Sequence, residues 1–246
     1  MPPTTVANNA EMGTNAVVAT PENTSSTGNN FLMLFSNPGT VTFSNARASH
    51  GTLSYAIQAG SGSDSMVRWA SFATQSMAAR FYIYFTALPS ASTEFLQLST
   101  HEGGTFEFAG RIAFGTTGLM LVFDNSGLIW TSAAAVSINT WYRVELYCAI
   151  GPSSTTGTLQ TAFYALDNLT AIDSFTTSTA NTGTSQAIGV MRFGKVTSSA
   201  MTSVFYMDGL AARTQASGFI GPYAGPLTPP ATFAGIIPHL GWGRAV

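Results

Sequence analysis

From residue 31 onward the apolar side chains recur with a period of two, and no window of eleven residues holds them at i, i+3, i+4 and i+7. That pattern excludes helical bundles and α/β folds. The clearest run is Trp141 to Cys148. Tyr142, Val144, Leu146 and Cys148 share one face there, and Trp141, Arg143, Glu145 and Tyr147 share the other. Phe81 to Phe85 is aromatic and β-branched, and Glu94 to Leu98 alternates. Ile112 and Phe114 point one way, and Leu119 to Phe123 reads as a buried strand closed by the turn Asp124-Asn125-Ser126-Gly127. Gly151 to Gly157 reads as a hairpin loop. Thr161–Leu166, Ile188–Phe193 and Ser203–Ala211 read as further strands. Only Ser71 to Ala79 suits a short helix, because Ala, Met and Gln are tolerated in one. Short strands at roughly 8–12-residue spacing, divided by Gly and Asn turns, predict a sandwich or barrel.

Composition agrees. Charged residues are 8% of the chain, against roughly 25% in an ordinary soluble domain. Ser and Thr, 59 of 246, take their place and suit solvated strand faces. Stability must therefore come from an aromatic core of 17 Phe, 8 Tyr and 4 Trp, each buried Phe contributing about 1.5–3 kcal/mol. Nine cations and a net charge of -2 argue against nucleic acid as a partner. A single cysteine, Cys148, rules out an intrachain disulfide and a Cys-rich zinc site, and its face predicts a small buried hydrophobe. The first residues lack the basic and apolar regions of a signal peptide, and no apolar run approaches the length of a membrane span. The expectation is a chain made in a host cytoplasm, with no membrane association. Residues 1–30 are polar and without period, as in an N-terminal arm; 31–223 form one uninterrupted β-sandwich domain; 224–246 are Pro-rich and form a C-terminal arm.

Three stretches occur in an order that resembles the concanavalin A-like lectin/glucanase jelly roll, the laminin-G-type sandwich. They are Gly110-Arg111-Ile112-Ala113-Phe114 with Gly118-Leu119-Met120-Leu121 and Thr140-Trp141-Tyr142-Arg143-Val144-Glu145-Leu146; Met191-Arg192-Phe193-Gly194; and Phe205-Tyr206-Met207-Asp208-Gly209-Leu210. The resemblance implies an all-β jelly-roll sandwich of two antiparallel sheets. The ending Gly218-Phe219-Ile220-Gly221-Pro222-Tyr223 is similar to sandwiches in virion proteins of tailed bacteriophages. That likeness implies a virion location, a role in capsid decoration or as a minor tail protein, major capsid or tail proteins as partners, and a homo-oligomer.

Few residues carry a pattern that points to chemistry. Glycoside hydrolysis needs two carboxylates about 5–5.5 Å or roughly 6.5–9.5 Å apart. No two acids here stand two or four residues apart, and the E-x-D-x-x-E pattern of the related glucanases is absent. Only a cross-strand pair would serve, and the expectation is that the chain is not an enzyme. Gly60-Ser61-Gly62-Ser63-Asp64 is not G-x-S-x-G and reads as a loop. No cofactor is expected; a structural calcium would fall at Asp208 or at the Asp124–Gly127 turn. Asp208 otherwise reads as an acid tying a strand to a loop. Arg143 and Glu145 share one face and are expected to pair with each other's cross-strand neighbours, an exposed pair of that kind being worth about 0–1 kcal/mol. Trp69, Trp130 and Trp141 are the candidates for stacking on a sugar. In the tail, Phe233, Ile236, Ile237, Leu240 and Trp242 are the candidates for docking on a partner. The leading expectation is a structural virion protein that acts by binding. A lectin-like module for host surface glycans is the alternative, and a glycan-cleaving enzyme ranks third.

Overall fold

The computed structural model describes residues 4–11, 13–24, 28–36, 39–58, 64–100, 107–183, 186–197 and 201–225. Fifteen strands run through them. In chain order these are β1 (Thr5–Asn8), β2 (Met33–Ser36), β3 (Thr40–Ser44), β4 (Ser54–Gln58), β5 (Ser65–Trp69), β6 (Ser76–Phe85), β7 (Thr93–Ser99) and β8 (Phe108–Phe114). Then follow β9 (Leu119–Phe123), β10 (Leu128–Ala135), β11 (Trp141–Ala149), β12 (Gly157–Ala165), β13 (Asp173–Ala180), β14 (Val190–Lys195) and β15 (Val204–Thr214). They form two antiparallel sheets, a jelly-roll sandwich. The first has the order β13-β12-β11-β6-β15-β4-β3, and the second β10-β9-β8-β7-β14-β5-β2. β6 pairs along one edge of β15; on the other edge β4 takes Val204–Met207 and β1 takes Leu210–Arg213.

Alternation decides which side chains enter the core. Tyr142, Val144, Leu146 and Cys148 of β11 are buried in it, with Met77, Ala79, Phe81, Ile83 and Phe85 of β6. Phe85 meets Phe95 and Phe114 of the opposite sheet at centroid distances of 5.2 and 5.3 Å, both edge-on. Phe95 meets Phe205 at 5.0 Å and 88°. Rings prefer this edge-to-face geometry, which adds to the area they bury. Cys148 is fully buried and its thiol donates to the Ala109 carbonyl at 3.4 Å. Burial raises that thiol's pKa well above its ordinary value.

One expectation fails on local grounds. Residues 71–79 are not helical: Ser71 has φ 65°, Thr74 bridges Ile188, and β6 begins at Ser76. Met77 and Ala79 continue the inward face of Phe81, so the two-residue period outweighs their helix propensity. The polar N-terminal segment lies along the sandwich itself. β1 pairs with β15, and Ala10, Ala19 and Phe31 are buried. Its order comes from side-chain-to-backbone bonds rather than from an apolar face. The buried Asn8 donates to the carbonyls of Thr24 and Asn29, and accepts from Ala10 N–H and the Tyr55 hydroxyl. Such bonds leave no periodic trace. Phe233, Ile236, Ile237, Leu240 and Trp242 lie outside the described residues.

Candidate functional site

The outer face of the first sheet is built in layers fixed by strand register. Trp141, Tyr84 and Tyr206 stand opposite one another on β11, β6 and β15. The next layer is Tyr164, Arg143, Tyr82 and Asp208, and the third holds Glu145 and Arg80. Alternate residues of a strand lie about 7 Å apart, which sets the spacing of the layers.

The first layer is an aromatic shelf. Tyr84 lies 5.5 Å from Trp141 and 6.0 Å from Tyr206, centroid to centroid. Trp141 and Tyr206 remain partly open to solvent. The exposed Arg47 sets its guanidinium 5.6 Å from the Tyr84 centroid and donates to that hydroxyl at 3.1 Å. Tyr84 in turn donates to Asn139 Oδ1 at 3.2 Å.

The second layer carries the titratable groups. After β12 the chain turns at Leu166, with φ 48°, and presents Asp167. Arg143 holds this turn by donating to the carbonyls of Leu166 and Asn168 at 3.1 and 3.0 Å. Its guanidinium lies 3.9 Å from the Tyr164 centroid. Asp167 accepts from the Tyr82 hydroxyl at Oδ1 and faces His50 Nε2 at 2.7 Å with Oδ2. The His50 ring is clasped between Tyr82 at 4.6 Å and Tyr223 at 4.5 Å. Its Nδ1 meets Ser49 Oγ at 2.9 Å, and Ser49 Oγ meets Asp208 Oδ2 at 2.8 Å. Asp208 is fully buried and also accepts from the backbone N–H groups of Ser49, His50 and Gly209. Gly209 makes the bulge at which β15 shifts register. Its φ is 52°, and a Cβ there would lie 2.9 Å from the Tyr82 ring.

These surroundings push the two carboxyls apart. Burial outweighs the hydrogen bonds to Asp208 and raises it to about 6. At Asp167 burial also acts upward, but hydrogen bonds from Tyr82 and His50 overcome it and hold the group below the ordinary carboxylate value. Burial, and then the bond to Asp167, keeps the Tyr82 phenol protonated well above neutrality. The side chain of Asp167 is 40% exposed and that of His50 17%. The site thus offers an ionised, accessible carboxylate backed by a histidine, next to an aromatic shelf and an exposed cation. Such a set can stack a sugar ring, bind its anionic group and exchange a proton with it.

The third layer is closed over by residues 218–225. Gly221 N–H donates to Glu145 Oε2 at 2.8 Å. Arg80 donates to the carbonyls of Gly221 and Pro222 at 3.1 and 3.0 Å, and Tyr223 N–H donates to the Tyr82 hydroxyl at 2.8 Å. This strap corrects the expectation for Arg143 and Glu145. They pair with each other at 2.9 Å while only 2% and 1% exposed.

Of the three tryptophans, only Trp141 reaches this site. Trp69 is 4% exposed and packs on Phe31 and Phe193 in the core. Trp130 stacks on Phe175 at 5.4 Å and 17°, where β10 meets β13 at the side of the sandwich. Asp208 ties its strand to the 49–50 loop. Asp124 spends its carboxylate on the N–H groups of Ser126, Gly127 and Asn181. Among the described residues no three His, Cys, Asp or Glu gather as a metal-binding group. Arg47, His50, Tyr82 and Asp167 were not singled out from the sequence. The alternation that buries Phe81, Ile83 and Phe85 turns Tyr82 and Tyr84 outward, so that part was readable. His50 and Asp167 sit in loops 117 residues apart, and nothing local links them.

No protein-family model matches the chain, and no curated protein matches it by sequence. Solved structures do. An alginate lyase from the marine Aplysia kurodai superposes with a TM-score of 0.60 at 11% identity, over 86% of this chain and 98% of that one. The alginate lyase Aly36B gives 0.55 at 12% identity, over 85% and 96%. The cellulose induced protein Cip1 gives 0.52 at 16% identity, over 75% and 88%. Identities this low establish a shared fold, a sandwich consistent with the concanavalin A-like jelly roll. They also overturn the expectation that the chain is not an enzyme. That expectation rested on carboxylate spacing along single strands, whereas lyases use this same sandwich.

Proposed function

We propose that the chain is a glycan-active enzyme whose substrate is an anionic polysaccharide lying on the outer face of the first sheet. One observation carries this reading: the half-open shelf of Trp141, Tyr84 and Tyr206 adjoins the accessible carboxylate of Asp167. A pyranose would stack on the shelf. Arg47, on the hydroxyl of Tyr84, would bind the sugar's acid group. Asp167, on the hydroxyl of Tyr82, would serve as base. Tyr82 and Tyr84 are alternate residues of one strand, so the two charges flank a space about one sugar wide, roughly 7 Å. The alginate lyases among the structural neighbours support this reading of an acidic glycan. On a bacteriophage particle such an activity would be directed at the host's surface glycans.

The test is incubation with a panel of neutral and uronate polysaccharides, following new reducing ends and the ultraviolet absorbance of unsaturated sugars. At least one uronate polymer should be cleaved. Asp167→Asn should lose cleavage and keep binding. Trp141→Ala should weaken binding about two- to twelvefold, in line with about 0.5–1.5 kcal/mol for an aromatic contact. Failure to bind or cleave any anionic glycan would overturn the reading, and binding without cleavage would reduce the role to recognition.

A further inference from the structure

His50 is contacted at both ring nitrogens, and the contacts continue in both directions. From the open face inward the order is Asp167 Oδ2, His50 Nε2 at 2.7 Å, His50 Nδ1 to Ser49 Oγ at 2.9 Å, and Ser49 Oγ to Asp208 Oδ2 at 2.8 Å. Every link is hydrogen-bond length, every member can both give and take a proton, and the two ends are carboxyls of opposite exposure. We propose that Asp167, His50, Ser49 and Asp208 form a proton relay joining a carboxyl open to the site with one enclosed in the protein.

The transfer balances bond by bond. With the proton on Asp167, its O–H donates to His50 Nε2, His50 Nδ1–H donates to Ser49 Oγ, and the Ser49 O–H donates to the Asp208 carboxylate. Asp167 then passes its proton to Nε2, Nδ1 passes its own to Ser49 Oγ, and the serine hydroxyl proton goes to Asp208 Oδ2. Three N–H or O–H bonds break and three form. The imidazole changes tautomer, the serine recovers a hydroxyl, and one proton has moved from the surface carboxyl to the buried one. The surroundings also set the direction of the transfer, holding Asp167 below the ordinary carboxylate value and Asp208 above it. The three backbone donors favour the Asp208 carboxylate, and its full burial favours the acid. Its titration near 6 is the balance of the two.

The remaining surroundings hold the relay in place. The rings of Tyr82 and Tyr223 clasp His50, and Tyr82 also stands opposite Asp208 in register and donates to Asp167. Arg80 lies 5.7 Å from the centroids of both tyrosines. Arg143 holds the Asp167 turn and is neutralised by Glu145. If Asp167 is the base of the proposed function, on which this role for the relay rests, Asp208 takes up the abstracted proton and readies Asp167 for the next turnover. Ser49 and Asp208 are then positioning residues that touch no substrate.

The relay can be tested without any glycan, so its failure and the failure of the glycan reading show separately. The full chain, labelled with 13C at the aspartate carboxyls, is titrated by NMR from about pH 3 to about pH 8. Coupled sites titrate with shared macroscopic steps. In the wild type, the Asp167 and Asp208 carbons should each show two inflections at common midpoints. Ser49→Ala should leave one inflection on each, and Ser49→Thr, which keeps the hydroxyl, should restore two. His50→Phe keeps a ring between the tyrosines while removing both nitrogens, and should uncouple the carboxyls as Ser49→Ala does. It also serves if the alanine variant fails to fold. Single, independent steps in the wild type would overturn the relay, as would paired inflections that persist in Ser49→Ala or His50→Phe.

Discussion

Asp208 is a carboxyl that the fold prefers to keep protonated. Its value rises from an ordinary 3.8 to about 6 because it is enclosed, and a rise of about two pH units corresponds to about 3 kcal/mol. Between those pH values the folded chain holds the proton and the unfolded chain has lost it. The stabilisation present below 3.8 therefore disappears as the pH climbs to 6. Urea unfolding at pH 4 and again at pH 6.5 should show the wild type losing about 2 kcal/mol more across this interval than Asp208→Asn does. Asp167 acts in the opposite sense. Its lowered value gives stability above the ordinary carboxylate pKa that fades as acid protonates it. Gly209 is the neighbour that makes room for this chemistry. Its φ of 52° and the 2.9 Å approach of Tyr82 leave no place for a methyl group. Gly209→Ala should cost about 1–3 kcal/mol from backbone strain alone, and should change the histidine signals in an NMR spectrum by displacing the ring beneath His50. Little of this was legible in the sequence. Asp208 could be read as an acid fastening a strand to a loop, but the loop could not be named, because the Ser49 contact spans 159 residues.

The strands themselves were legible because each needed only its own alternation. Tyr142 to Cys148 declared an inner face and Trp141 to Tyr147 an outer one, and β11 keeps both. What alternation cannot show is whether an outer face stays wet. Arg143 and Glu145 look solvated in a one-strand pattern and become buried because residues 218–225 cross above them. Removing one partner of a buried ion pair strands the other, so Glu145→Leu should destabilise by about 3–5 kcal/mol in a denaturant titration, well beyond the value of a surface pair. Pro222 and three glycines mark 218–225 as a non-strand segment, yet its bonds to Glu145, Arg80 and Tyr82 run through its main-chain atoms, and no residue type announces them. β1 carries the same lesson at the other end of the chain. Deleting residues 1–9 should bare the β15 edge at Leu210–Arg213, and concentration-dependent light scattering should then rise, since unpaired strand edges associate.

At the scale of the molecule, two sheets are fastened by rings where most proteins of this size would also carry many charges. Phe85 stands where both sheets meet, in contact with Phe95, Phe114 and Phe205. Phe85→Ala should cost about 3–5 kcal/mol by thermal or chemical unfolding. The aromatic count announced such a core, and the two-residue period announced the sandwich. The working face came only when loops after β3 and β12 converged on the tyrosines of β6. The lone thiol in the core has a practical consequence. Cys148 is wholly enclosed and its thiolate is disfavoured, so a maleimide dye should ignore the intact molecule and mark it only during an excursion in which the sheets part. The speed of that reaction is a clock for the rarest opening of the fold, read at a native residue with no substitution in the chain.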